Sequence, residues 1–152
     1  NDLDFNNGLI HIRHNLADVG GKHWLDTPKT KNSIRTIGMS DTLKAILENH
    51  REEQKEKIKS ELGKAITTLH KTETYLMVGI EDDYDLWMTG NKLDKGAYVS
   101  VSLFGNASAS DYDNMTAKIC EIYEQELGIP SNAIYVTYHP IADWGWNGHN
   151  FR

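Results

Sequence analysis

The chain has 152 residues, a formal charge of −6 and an apolar share of 39%. This length suits a single domain, and the composition excludes a wholly disordered or collagen-like chain. No apolar run is long enough to cross a bilayer, so we expect no membrane partner. The first fifty residues carry as many acidic as basic side chains, so the net negative charge falls on the remainder and argues against general nucleic-acid binding there.

The single cysteine, Cys120, lies in an apolar-periodic stretch and is expected to be a small buried hydrophobe rather than a reactive thiol. One cysteine cannot form an internal disulfide, and the chain starts with no leader-like segment. We therefore expect a cytoplasmic protein.

Short β-branched runs indicate three strands in the first 38 residues. The first covers residues 9–13, and Gly20-Gly21 marks a turn before a return strand at 22–25. Residues 33–37 alternate again. Together they predict a small three-stranded antiparallel meander.

At Ser40 the pattern changes to that of a helix. Ser40 is typical of an N-cap, and residues 41–69 contain no proline and only one glycine. Apolar residues recur on one helical face near the end, whereas residues 48–57 are all polar. We place the boundary between two lobes there, giving residues 1–54 and 55–152.

The second lobe continues with a predicted buried strand at 75–80 and an alternating strand at 97–104. A helix follows from Ser110 to Leu127, and a last strand covers 133–138. The predicted fold class is α+β: a small antiparallel β meander joined by a long helix to a helix–strand–strand–helix–strand lobe.

The end of the chain carries an ordered set of motifs. They are Ser102-Leu-Phe-Gly105, Leu127-Gly-Ile-Pro130, Ala133-Ile-Tyr-Val-Thr-Tyr138 and Trp144-Gly-Trp-Asn147 with Phe151. In these, residues 58–152 resemble the macrophage migration inhibitory factor (MIF) family of tautomerases. The resemblance implies a tautomerase-like lobe, a homotrimer without cofactors, and keto–enol tautomerisation of a small aromatic keto or enol acid such as phenylpyruvate.

The resemblance also assigns site residues. Lys71 matches the lysine of the family's pocket, which holds the substrate together with a polar residue of a neighbouring subunit. The matching substrate-binding positions are Tyr75, an aromatic wall residue; Phe104, which offers a backbone N–H; Tyr135, contributed across the subunit boundary; Thr137, an Asn in animal members; and Trp146 and Phe151, at an aromatic rim.

The match does not extend to the family's catalytic base. That base is an amino-terminal proline, whose amine has a lowered pKa in an apolar pocket. The equivalent position falls at about Ser40, and Pro28, Pro130 and Pro140 are internal. We therefore expect impaired tautomerase activity. The family's first strand is replaced by a helical pattern, so we expect that residues 33–37, or another strand of the first lobe, cover the exposed sheet edge.

Residues 1–54 carry a different set of motifs. The run Thr27-Pro-Lys-Thr-Lys-Asn-Ser-Ile-Arg-Thr-Ile37, with Asp2-Leu-Asp-Phe5 and Ile10-His-Ile12, resembles a tyrosine recombinase of the phage and conjugative-transposon integrase type. The resemblance makes Lys29 the general acid at the scissile phosphate. It covers a slice of a catalytic domain without the nucleophile, so we expect an inactive fragment, the remnant of a bacterial mobile element. Lys29, Lys31 and Arg35 are the candidate DNA contacts.

Histidine and aspartate patterns give no metal site. His11 and His14 point to opposite faces of a strand, and neither His139 nor His149 has further ligands at a suitable spacing. Residues 82–85 lack the glycine and final glutamate of a calcium loop, so we interpret them as a turn and predict no metal. Three functions stay open: a weak tautomerase-like isomerase, a DNA-binding integrase remnant, and a non-catalytic fusion protein.

Overall fold

The structure is a computed structural model that describes residues 2–26, 28, 30 and 33–151. It divides into two compact units, residues 1–53 and residues 54–152. None of the helices in the described part of the chain is long and apolar enough to span a membrane.

The described residues of the first unit form five short strands: β1 Leu3–Asp4, β2 Leu9–Ile12, β3 Asn15–Val19, β4 Lys22–Asp26 and β5 Arg35–Gly38. Strand β2 pairs antiparallel with β1 and with β5, whereas β3 and β4 form a separate hairpin. The predicted single meander is therefore wrong in its pairing. Gly20 and Gly21 both have positive φ, which suits a two-residue hairpin turn. This turn lets β4 pair with β3, the strand just before it in the chain.

Helix α1, Asp41–Ala65, begins where the sequence predicted. The Ser40 Oγ accepts a hydrogen bond from the Leu43 N–H at 3.2 Å, which confirms Ser40 as the N-cap. The division between the units falls inside this helix. A 3₁₀ turn, Ile66–Leu69, continues it and ends at His70, whose φ of 55° is left-handed.

The second unit is built around one β–α–β arrangement. Strands β6 Trp87–Met88 and β7 Asn91–Lys92 form a small hairpin; they are followed by β8 Ala97–Phe104, helix α2 Ala109–Leu127, β9 Ile134–Ile141, β10 Trp144–Trp146 and β11 His149–Phe151. Strands β8 and β9 pair in parallel, from Ala97 opposite Ile134 to Phe104 opposite Ile141. The mixed helix and strand architecture confirms the predicted α+β class.

The hydrophobic core of this unit lies between α1, α2 and one face of the β8–β9 sheet. The apolar faces of the two helices supply its buried side chains, which are Ile58, Leu62, Ala65, Ile66, Leu69, Met115, Ile119 and Ile122. Helix α2 starts at a capping box made by Ser108 and Asp111 and ends at Gly128, whose φ is 61°. Helix α2 packs on the face of the β8–β9 sheet that carries Val99 and Val101. Tyr98 and Tyr135 on the other face are exposed, and we call it the uncovered face.

Residues 75–80 do not form the predicted buried strand. A 3₁₀ turn occupies 73–75, and the side chains of Tyr75 and Met77 are 70% and 93% exposed. Leu76, Val78 and Ile80 are half-buried against the core, so only one side of the stretch is covered. Within the described residues no strand pairs with this stretch, and a strand needs such a ladder.

The structure also corrects the prediction that residues 33–37 cover the exposed edge of the sheet in the second lobe. Arg35–Gly38 pairs with Leu9–Ile12 inside the first unit, so it does not extend the β8–β9 sheet. Among the described residues, β9 is the one strand paired with β8. The hypothesis that residues 33–37 fill this edge is therefore wrong.

Candidate functional site

Lys71 lies at the end of strand β8. Its Nζ donates a hydrogen bond to the Phe104 carbonyl oxygen at 2.8 Å, and its side chain is half-buried. The left-handed His70 turns the chain out of the 3₁₀ helix just before Lys71. An ammonium group carries three donors, so one bond to Phe104 leaves two protons with which Lys71 can bind an anion.

Aromatic rings surround this end of the strand, and we call them the aromatic cluster: Tyr75, Phe104, Trp146, His149 and Phe151. The ring centroids of Tyr75 and Trp146 are 5.8 Å apart, and those of Phe104 and Phe151 are 5.7 Å apart. The ring centroid of Phe151 is also 6.3 Å from that of Trp146 and 5.9 Å from that of His149, to which it is nearly perpendicular. Such edge and tilted contacts make an apolar wall that suits a planar ring.

The last hairpin positions this cluster. Strands β10 and β11 pair from Trp144 opposite Phe151 to Trp146 opposite His149. Asn147 and Gly148 form its turn with φ values of 50° and 85°, which two-residue hairpins require. The Asn-Gly pair in the sequence therefore fixes the register that brings Trp146 and Phe151 together.

A second group of polar side chains lies on the uncovered face of the β8–β9 sheet. The Tyr98 Oη is 3.1 Å from the Thr137 Oγ1, which is 3.2 Å from the His139 Nε2. Tyr135 lies on the same face and is exposed. These hydrogen bonds involve none of the rings of the aromatic cluster, so the predicted residues fall into two groups.

The surroundings of α2 shift the pKa values of three side chains, Asp111, Tyr123 and Tyr138. The Ser108 side chain and backbone N–H hold the pKa of Asp111 below its usual value, so this carboxyl stays ionised. His70 Nε2 lies 3.5 Å from Asp111 Oδ2. Burial raises the pKa values of Tyr123 and Tyr138, which stay neutral and serve packing.

The structure places the remaining sequence-predicted residues as follows. Ser40 caps α1 inside a continuous chain, so its nitrogen is a non-basic amide. Arg35 is exposed on β5, with its Nη1 3.5 Å from the Ser33 carbonyl oxygen. Lys29 and Lys31 lie outside the described residues. The role of Phe104 seen here is that its carbonyl accepts from Lys71, whereas the resemblance assigned its N–H.

Metal-binding groups do not assemble in the part of the chain that the structure describes, where no cluster of three His, Cys, Asp or Glu residues could hold an ion. His11 Nδ1 is 2.9 Å from Thr36 Oγ1, and Asp85 pairs with Lys92. Cys120 is half-buried and packs beside the small apolar cluster at the end of α2.

An open groove of about 320 Å³ that Lys71 does not line lies between the end of α1 and α2. Its lysines are already paired, Lys64 with Glu61 at 2.6 Å and Lys118 with Glu121 at 2.7 Å. These internal pairs leave little net charge to attract a ligand, so the Lys71 region is the better candidate site.

Sequence reasoning missed three residues near the site. His139 and His149 were weighed only as metal ligands, whereas His149 lies against Phe151, and His139 and Tyr98 contact Thr137. The alternation of β9 was the available signal, because residues 135, 137 and 139 of a strand share one face.

Comparison with known proteins gives one consistent match. The sequence pattern of the family described as macrophage migration inhibitory factor (MIF) matches residues 48–152. The MIF of Xenopus laevis is 29% identical over 83 residues, which cover 53% of this chain and 71% of that protein. The structure of Leishmania major MIF2 is 30% identical with a TM-score of 0.61, covering 65% of this chain and 85% of that one. The MIF of Toxoplasma gondii is 25% identical with a TM-score of 0.62, covering 66% and 90%.

Proposed function

Since the chain belongs to the macrophage migration inhibitory factor family, we propose that it is a tautomerase-like protein that binds a small aromatic keto or enol acid, such as phenylpyruvate, at Lys71. One observation carries this proposal: the Lys71 ammonium is held 2.8 Å from the Phe104 carbonyl, beside the aromatic cluster. The free protons of Lys71 bind the carboxylate, and the rings of Tyr75, Trp146 and Phe151 contact the aromatic part.

The catalytic step of this protein is proposed to be impaired. Tautomerisation needs a base that takes a proton from the carbon beside the carbonyl and returns it to the other end of the enol system. An amine does this near neutral pH only if it is unprotonated, and the Ser40 amide nitrogen has no such basicity. Lys71 binds and polarises the substrate in this proposal and does not replace the base.

We propose a homotrimer as the assembled form. The uncovered face of the β8–β9 sheet exposes Tyr98 and Tyr135 by 61% and 63%, and β9 is the one described strand paired with β8. Exposed aromatic side chains on a sheet face favour an interface. Such an assembly would supply Tyr135 and Thr137 to the pocket of a neighbouring subunit.

The test of the proposed function is a paired measurement of binding and turnover. Isothermal titration with phenylpyruvate is expected to show saturable binding, and the enol-to-keto assay is expected to show a rate close to that of buffer. Absence of binding would reject the pocket. Rapid enzymatic turnover would reject the impaired step, because it would require a base that this proposal does not contain.

For residues 1–54 we propose an inactive recombinase remnant fused to the tautomerase-like part. The MIF pattern begins at residue 48, so most of this segment lies outside it. Arg35 is exposed on β5 and can approach a phosphate, but one hairpin cannot supply the nucleophile of phosphoryl transfer. DNA binding, a bacterial mobile-element origin and a cytoplasmic location stay predictions.

A further inference from the structure

The uncovered face of the β8–β9 sheet carries a chain of three hydrogen-bonding side chains. Tyr98 Oη, Thr137 Oγ1 and His139 Nε2 are linked by distances of 3.1 and 3.2 Å. Thr137 occupies the middle of this chain and belongs to the proposed ligand-binding residues. The opposite face of the sheet packs on the core through Val99, Val101 and other apolar side chains.

The directions of the two bonds depend on whether His139 Nε2 carries a proton. The Thr137 hydroxyl has one proton, so it can donate to only one neighbour. When His139 Nε2 is unprotonated, it accepts from Thr137, and Tyr98 must donate its proton to the Thr137 oxygen. When His139 is an imidazolium, Nε2–H donates to the Thr137 oxygen, and the Thr137 proton no longer has to point at His139. Thr137 can then donate to the Tyr98 oxygen, and the Tyr98 hydroxyl can donate to another group.

We propose that His139 is a positioning residue that sets the direction of the Thr137 hydroxyl, and that its protonation allows the Tyr98 hydroxyl to donate to a carboxylate ligand. This inference rests on the proposed function, in which Thr137 contributes to the binding of an aromatic acid. A carboxylate accepts hydrogen bonds only, so it binds better when Tyr98 can donate and His139 is positive.

Few other groups on this sheet face can produce the same pH dependence. Strand β8 presents Ser102 opposite His139 in the register, and a serine does not titrate near neutral pH. The other titratable side chains of the face are Tyr98 and Tyr135. The nearest carboxylate along the chain is Asp143, beyond the end of β9. Among the described side chains of this face, His139 is thus the one that becomes positive when it gains a proton.

The positioning role is tested without ligand by ¹⁵N NMR of the histidine rings. Wild-type His139 is expected to hold its proton on Nδ1 at high pH, because Nε2 accepts from Thr137. Thr137→Val should remove this tautomer preference. His50, an exposed histidine of α1, serves as the reference and should not change in this variant. An Nε2–H tautomer that is insensitive to Thr137→Val would overturn the inference.

The effect on binding is tested by the affinity for phenylpyruvate at about pH 5.5 and about pH 8. The wild type should bind roughly 10- to 150-fold more tightly at the lower pH, as expected for one charge-assisted contact. His139→Gln should bind with equal affinity at both values, whereas His50→Gln should keep the wild-type dependence. A dependence that persists in His139→Gln, or is absent in the wild type, contradicts the inference. Absence of binding at both values rejects the proposed function, and the NMR result then decides the positioning role alone.

Discussion

Replacement of Lys71 by methionine gives the sharpest test of the candidate pocket. The substitution keeps the length and apolar stem of the side chain but removes the ammonium group that lies 2.8 Å from the Phe104 carbonyl. A hydrogen bond to a charged partner contributes about 1.5–3 kcal/mol, so the affinity for phenylpyruvate should fall by roughly 10- to 150-fold. Isothermal titration calorimetry measures this change directly.

The chain offers a matched control for this variant. Lys95 Nζ also donates to a backbone carbonyl at 3.0 Å, that of Leu127 at the end of α2, which is not part of the aromatic cluster. Lys95→Met therefore loses a comparable hydrogen bond and the same charge, and its affinity should stay within about twofold of the wild type. Equal loss in both variants would show that general charge or stability is responsible. Unchanged affinity of Lys71→Met would refute the assignment of the anion-binding group.

The remaining predictions concern stability and assembly. Ile119→Ala empties a site that is 0% exposed and should lower the free energy of unfolding by about 2–5 kcal/mol in urea titrations, whereas the exposed Ile46→Ala should change it by about 0.5 kcal/mol or less. Ser108→Ala removes the N-cap of α2 and should cost about 0.5–2 kcal/mol in the same experiment. Because Ser108 lowers the pKa of Asp111 in the folded protein, the ionised Asp111 stabilises the fold above the ordinary pKa of an aspartate. This stabilisation is lost as the pH falls through the lowered pKa. Melting curves against pH should show the loss, and Asp111→Asn should abolish this pH dependence. Tyr135→Asp should reduce the mass of the assembly in analytical ultracentrifugation, and an unchanged trimer would show that this face is not the interface.

Local patterns of the sequence correctly predicted the helices and strands whose apolar residues recur at a regular spacing. The period of apolar residues predicted α2, and Gly128 ends it as expected because glycine adopts positive φ readily. Alternation predicted residues 97–104 as a strand with the bounds that the structure gives. Ser40 was identified as an N-cap by its residue type alone.

The residues of the candidate site could also be predicted in part from the sequence. The resemblance named Lys71, Tyr75, Phe104, Trp146 and Phe151, and the structure places these five together, although their roles in binding stay predictions. It could not show that Lys71 bonds the Phe104 carbonyl, because that contact joins residues 33 positions apart.

What the sequence by itself determined was therefore the type of each periodic element and the family to which most of the chain belongs. The tertiary structure decided which strands pair: residues 22–26 with 15–19, Arg35–Gly38 with β2, and residues 75–80 with no described strand. It also decided that Tyr98, Thr137 and His139 share one hydrogen-bonded chain. The physical reason is that helices satisfy their hydrogen bonds with near neighbours, whereas strands and polar networks depend on partners that only folding brings within reach.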